Sequence, residues 1–357
     1  MTGECVILEM RFRYVRIFFS DFVLLPVFAF CLLNADLVTY GICMGKGQMD
    51  IVLGARDFQE VYADDSVDVH VKERLRFIEE VREFAFDSIG LTRNDNYTTY
   101  YDQKGQRLLY VVTASKPFEL KAHLWSFPIL GDVPYKGFFN EEKANAESER
   151  LKAEGWDVDI GGASGWSTLG WFKDPVLSGM LRMSEGELAE LIIHELTHGT
   201  IFVKDNVDYN ENLAQFVGVE GAKWFLASRY GKDSDELSAY VNGNRDGDTR
   251  TAFMLGQAKW LSDAYGNGFT ARMSGPQKVQ KKKELFSMIV RRADSLQLES
   301  DTTFAKRLAD RLEKSGNTVF MQYLRYEGKK DDFTNEFILV NENLREFVRK
   351  MSEKYRE

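Results

Sequence analysis

Leu188-Ala-Glu-Leu-Ile-Ile-His-Glu-Leu-Thr-His198 is the stretch from which the rest of the chain can be read. Leu188, Leu191, Ile192 and Leu196 recur at helical spacing, which predicts an amphipathic helix. Ser184 lies just upstream with Glu187 three residues on, the pattern of a capping box. Within the helix sits His-Glu-x-x-His: His194, Glu195 and His198. Residues four apart share a helix face, so both imidazoles can reach one ion. Zinc suits two neutral imidazoles and a carboxylate, with one position left open. Glu195 can stand beside that open position and act as a base instead of binding metal.

A third ligand is required. Asp208-Tyr-Asn-Glu-Asn-Leu-Ala-Gln-Phe-Val217 opens a second amphipathic run. The residues between, Gly199 to Val207, suffice to end one helix and turn into the next. This predicts Glu211 brought back over the histidines, and one zinc ion on His194, His198 and Glu211. The bland alternative is a histidine pair that only packs or caps. The mid-helix apolar setting, the cap and the following Asn-Glu-x-x-Ala weigh against it. Of four histidines in the chain, only His70 and His123 lie elsewhere.

With 357 residues, 44% hydrophobic and 28% charged, the chain is globular in composition and long enough to bury a sizeable core. A net charge of −9 without a large basic tract argues against nucleic acid as a partner. The basic cluster at Lys281–Lys283 sits among Leu285, Phe286, Ile289 and Val290 and reads as a solvated helix face. The three cysteines, Cys5, Cys31 and Cys43, all precede residue 44. That excludes a cysteine-rich zinc finger and a dense disulfide framework.

Arg11, Arg13 and Arg16 precede the apolar Phe22–Leu33 and then Asn34-Ala35-Asp36, the order of a secretory signal, with Met10 as a possible start. Residues 1–35 are therefore expected to be a signal peptide, cleaved near Ala35, or a membrane anchor; a buried first helix is the alternative. Lipidation of Cys31 is disfavoured by the bulky Phe30 before it. Residues 36–357 are expected to form a single domain with a mainly helical part over 230–357.

Residues 45–90 read as helix, closed by Gly90. Tyr97–Tyr101 and Arg107–Ser115 read as strands, with Lys104-Gly105 as the turn. The proline- and glycine-bearing stretch 125–139 reads as a constrained aromatic loop or edge strand. A helix is expected from about Asn140 to Leu151, a bend at Gly161-Gly162, and a short strand over Ser167–Phe172. That strand would run beside the metal helix and could pair with an extended peptide. Asn242-Gly-Asn-Arg-Asp-Gly-Asp248 lacks the closing glutamate of a calcium loop and reads as a polar loop. Residues 250–265, 276–298, 301–314 and 332–354 have helical periodicity.

Several stretches together resemble the bacterial predicted aminopeptidase family, zinc-dependent gluzincin-like proteins of the cell envelope. They are Trp125-Ser-Phe-Pro-Ile129, Val133-Pro-Tyr-Lys-Gly-Phe-Phe139, Ser167-Thr-Leu-Gly-Trp-Phe-Lys-Asp-Pro-Val-Leu177 and the metal-helix stretch itself. Asn210-Glu-Asn-Leu-Ala-Gln-Phe-Val-Gly-Val-Glu-Gly221, Gly41-Ile-Cys-Met-Gly-Lys-Gly-Gln48 and, more loosely, Gly316–Tyr326 continue the match.

The resemblance implies an α+β, predominantly helical fold: a zincin-like core with a small mixed sheet beside the metal helix. It implies zinc on His194, His198 and Glu211, Glu195 as general base, and a peptide or protein substrate. It also implies a periplasmic or membrane-anchored location at the bacterial envelope, with the N-terminal segment as the membrane contact. Gly165-Trp166 departs from the Ala-Tyr expected before the Ser-Thr-Leu-Gly motif, and Cys31 departs from the family's lipoprotein signal.

A second donor for the developing oxyanion is expected from Tyr326, with Tyr323 and Tyr209 behind it. Gln215, one turn after Glu211, is a candidate to accept from His194, with an ordinary helix residue as the alternative. The rival readings are a catalytically silent envelope scaffold with the same fold and an endopeptidase of envelope proteins. The sequence assigns no group to capture a free amine, and it leaves the oligomeric state open.

Overall fold

The structure, a computed structural model, describes residues 35–127, 131–162, 173–204, 206–269, 272–326 and 333–355. Its contacts form two units, one ending at Leu53 and one spanning Gly54–Glu357. The first is represented by helix α1, Ala35–Gly54. No helix among the described residues is long and apolar enough to cross a membrane.

The second unit begins with strand β1 (Arg56–Asp57), α2 (Phe58–Ala63) and α3 (Val69–Phe84), which widens into a π-helical turn at Ala85–Ile89. The helical run expected over 45–90 is thus interrupted twice. Asp57 and Asp68 are responsible, their carboxylates accepting from the N–H groups of Gln59 and His70 and starting α2 and α3 afresh. Gly90, at φ 87°, closes the turn in the left-handed region.

Three small sheets follow. The first is mixed: β2 (Thr99–Tyr101) pairs antiparallel with β1 and parallel with β8 (Val176–Leu177). The second is antiparallel, with β3 (Tyr110–Ser115) between β6 (Lys136–Phe138) and β7 (Asp157–Gly162). The third is a hairpin of β4 (Trp125–Phe127) and β5 (Gly131–Val133). Lys104 (φ 52°) and Gly105 (φ 73°) form the expected turn, yet β2 and β3 enter different sheets instead of pairing. Gly161 and Gly162 do not bend the chain; they extend β7 opposite Val111 and Tyr110. The strand expected over Ser167–Phe172 lies outside the described residues. Helix α4 (Glu141–Ala153), capped by Asn140, packs on the second sheet.

From β8 a 3₁₀ turn at Met180–Arg182 feeds α5 (Glu185–His198). Then come α6 (Val207–Tyr230), α7 (Asp235–Gly268), α8 (Gly275–Asp294), α9 (Phe304–Ser315), α10 (Thr318–Tyr326), α11 (Thr334–Ile338) and α12 (Leu344–Lys354). The protein is therefore predominantly helical α+β, as its sequence implies. The loop expected at 242–248 is instead the interior of α7. Asp246 explains why: it is buried and accepts from the N–H groups of Glu299 (2.9 Å) and Ser300 (2.7 Å). This tertiary anchoring outweighs the weak helix propensity of the Asn, Gly and Asp residues around it.

Helix α5 is the centre of the unit. Leu188, Ala189, Ile192, Ile193 and Leu196 are all fully buried. The four large ones contribute on the order of 6–12 kcal/mol of gross apolar burial. The Ser184–Glu187 capping box, present in both directions, adds only about 1 kcal/mol. Packing therefore decides which face of α5 points inward, and the cap decides where it starts. Helix α6 crosses α5 at unusually short range. A Cβ on Gly218 would meet the Glu190 carbonyl oxygen at 3.0 Å and His194 Cβ at 3.2 Å. A second cluster, built from Met254, Leu261, Ile289, Leu308 and Phe320, joins α7 to α10.

Candidate metal centre

Helices α5 and α6 run antiparallel with a fixed register. His194 faces Glu211, and one turn along Glu190 faces Gln215. The loop between the helices is held by the buried Asn210, whose amide accepts from the Val203 N–H and donates to the Val203 carbonyl, both at 2.8 Å. Asn206 caps α6 through the Tyr209 N–H. These contacts, together with the close approach at Gly218, set Glu211 against the histidine pair.

His194 Nε2 and His198 Nε2 lie 3.2 Å apart. Each is 3.5 Å from a Glu211 oxygen, His194 from Oε2 and His198 from Oε1. Among the described residues these three form the group of His, Cys, Asp and Glu side chains able to hold a metal. A tetrahedral zinc ion with bonds of about 2.0–2.2 Å keeps its ligand atoms about 3.3–3.6 Å apart. The histidine nitrogens, at 3.2 Å, stand just inside that spacing, and each lies 3.5 Å from a different Glu211 oxygen, so the donor set fits zinc in its chemistry and comes close to it in spacing. The histidine side chains are 15% and 25% exposed and Glu211 is 53% exposed, so the group opens to solvent on the glutamate side.

The electrostatics suit the same chemistry. Burial lowers the pKa of His198, as does neighbouring His194 to a lesser degree, which favours the neutral imidazole that binds metal. The His194 contact holds the Glu211 carboxyl below the usual range. Glu195 behaves oppositely. Burial pushes it up to about 7, and the charges of Glu211 and Asp174 add to this against the opposing pull of His194.

Beneath Glu195 the ring of Tyr97 is fully buried on a left-handed backbone (φ 58°), with its N–H on the Asp174 carbonyl at 2.7 Å. Burial first, then the charges of Glu195 and Asp174, push the Tyr97 hydroxyl well above its ordinary pKa. Nothing periodic in the sequence marks Tyr97; only the fold brings it here.

Other expected residues fall elsewhere. Gln215 does not serve His194: its amide donates to Glu190 Oε1 at 2.7 Å. Tyr209 packs edge-on against Phe333 and Tyr355, with its hydroxyl on Met351 Sδ. Tyr323 packs on the α7–α10 cluster. Tyr326 ends α10, but its side chain lies outside the described residues. His123 is packed between Trp125 and Trp156, and His70 is exposed at the start of α3, so neither joins the centre.

A family model described as "Putative aminopeptidase" matches residues 39–356. The chain belongs to that family. Membership in this aminopeptidase family indicates a peptidase, and hence peptide substrates. No curated protein and no solved structure matches the chain.

Proposed function

We propose that this protein is a zinc-dependent aminopeptidase of the bacterial cell envelope. The observation that supports the metal is the gathering of His194, His198 and Glu211, whose donor atoms lie 3.2–3.5 Å apart, close to the spacing around a tetrahedral zinc ion. When bound, zinc supplies a Lewis acid that acidifies water and polarises a peptide carbonyl.

The chain's own residues do the rest. His194 and His198 present ring nitrogens from one turn of α5, and Glu211 supplies the negative charge from α6. Glu195 takes a proton from the attacking water at its carboxylate and returns it to the leaving amine. Burial raises the Glu195 carboxyl above its ordinary range, which suits a group that must both take and return a proton. Tyr326 is the candidate second donor to the developing oxyanion. The basic and then apolar order of the N-terminal residues supports action at the envelope.

The test is Glu195→Gln. It should bind zinc as the parent does and lose peptide hydrolysis by about 10²-fold or more, the usual scale of a general base. Hydrolysis at the parental rate would remove Glu195 from the mechanism. Absence of hydrolysis by the zinc-loaded parent on any peptide would leave a silent scaffold.

A further inference from the structure

Among the described residues Tyr97 is the largest side chain to be fully buried, and its hydroxyl has no hydrogen-bond partner among them. A phenylalanine would fill the same space without shutting a polar group away from water. The ring therefore serves packing, and the hydroxyl must serve something else. The backbone is also costly: φ 58° lies in the left-handed region, which aromatic residues rarely adopt. Strain and an unsatisfied polar group at one buried residue mark a position kept for a purpose other than stability.

The chain around Tyr97 shows what that hydroxyl faces. Residues 92–97 run along the C-terminal end of α5. The Thr92 N–H donates to Thr200 Oγ1 at 2.9 Å, and a Cβ on Gly199 would meet Asn94 Nδ2 at 3.1 Å. Gly199 and Glu195 are one turn apart on the same face of α5. The segment that touches Gly199 at Asn94 thus comes beside Glu195 three residues on, at Tyr97. The electrostatics agree: of the neighbouring charges, that of Glu195 acts on the Tyr97 hydroxyl most strongly, ahead of Asp174.

The segment is held on both flanks. Buried Arg82 donates to the carbonyls of Asn94 at 2.9 Å and Asn96 at 2.8 Å. The Asn96 amide oxygen accepts from the Asp174 N–H at 3.2 Å, and the Tyr97 N–H donates to the Asp174 carbonyl at 2.7 Å. A side chain locked in this way can orient a catalytic group instead of following it.

We propose that Tyr97 is a positioning residue for the general base: its hydroxyl donates to the Glu195 carboxylate in the substrate complex and fixes which oxygen faces the attacking water. Such bonds are often long in the resting protein and close only when substrate is bound. The assignment rests on the peptidase reading above, and the experiment separates the two.

Tyr97→Phe removes the hydroxyl and keeps the ring. In hydrolysis of trialanine by zinc-loaded protein, kcat should fall about 10- to 100-fold with KM nearly unchanged, the value of one hydrogen bond to a charged group. Zinc content should stay parental. The thermal midpoint should equal the parent's or exceed it, because the lost hydroxyl has no partner among the described residues. In Glu195→Gln protein the same substitution should change the residual rate by less than about twofold, because the group it positions is gone. Tyr100→Phe is the control, an equally small change in β2 at a hydroxyl bonded to Ser178, and it should leave kcat at the parental value.

Parental kcat in Tyr97→Phe would overturn the assignment and leave the peptidase reading standing. A fall in kcat accompanied by a lower thermal midpoint, by lost zinc or by an equal fall in Tyr100→Phe would make Tyr97 a packing residue and overturn it as well. An undiminished further loss in the Glu195→Gln background would do the same. If the zinc-loaded parent hydrolyses neither trialanine nor N-acetyl-trialanine, the peptidase reading fails and this inference with it.

Discussion

Gly218→Ala tests the packing that brings Glu211 to His194 and His198, the proposed metal ligands. The added Cβ would lie 3.0 Å from the Glu190 carbonyl oxygen, 3.2 Å from His194 Cβ and 3.4 Å from the His194 nitrogen. Comfortable contact for carbon begins at about 3.5 Å, so α5 and α6 must separate by roughly 0.5 Å. Two stability terms then oppose each other. Overpacking costs about 1–3 kcal/mol, while replacing glycine by alanine within a helix returns about 0.5–1 kcal/mol. The net loss of about 0–2.5 kcal/mol does not discriminate by itself.

Metal affinity does discriminate, because a zinc site tolerates ligand shifts of only about 0.2 Å. Glu211 moves with α6 and the histidines stay with α5, so affinity should fall about 10- to 100-fold, the range seen when a site's supporting contacts are disturbed. The assay is competition for zinc against a chromophoric chelator, with thermal unfolding run in parallel. Gly256→Ala is the control: it lies in α7 with nothing within 4 Å of the new Cβ. It should gain about 0.5–1 kcal/mol and leave zinc affinity unchanged. Parental zinc affinity in Gly218→Ala would refute the argument that close helix approach holds Glu211 in place.

Asn210→Ala removes both amide bonds to Val203 from a buried position, so chemical denaturation should show a loss of about 1–3 kcal/mol. Zinc affinity should fall with it; an unchanged unfolding midpoint would show that the interhelical loop needs no clamp. Asp246 gives a pH signature. The Ser300 hydroxyl, then the Ser300 and Glu299 N–H groups, hold its pKa below 3.8 against the cost of desolvation. Its stabilisation is therefore complete above about pH 4 and lost as pH falls through the lowered folded-state value. Asp246→Asn should be less stable at pH 7 and should lose that part of the acid dependence in denaturant titrations. Parallel stability–pH curves for parent and variant would contradict the assignment.

Local spacing made the centre of this molecule legible. His194 and His198 declare one helix face by their separation, Ser184 and Glu187 declare where that helix begins, and Glu211 follows after just enough chain to turn back. Each depends on residues near one another in sequence. The failures arise where distant partners decide. The glycine- and asparagine-rich 242–248 segment looks like a loop until Ser300 and Glu299 are brought to Asp246. The strands at 99–101 and 110–115 look like a hairpin until β8 and β7 claim one each.

The one-turn spacing from Glu211 points Gln215 toward His194, but the antiparallel register pairs it with Glu190.

The most direct test of the central claim is the metal content of purified protein by elemental analysis, compared with Glu211→Ala after dialysis at equal free zinc. One zinc ion per chain is predicted for the parent, with most of it lost from the variant. Parent protein without zinc, or a variant that retains the full complement, would contradict the His194–His198–Glu211 centre.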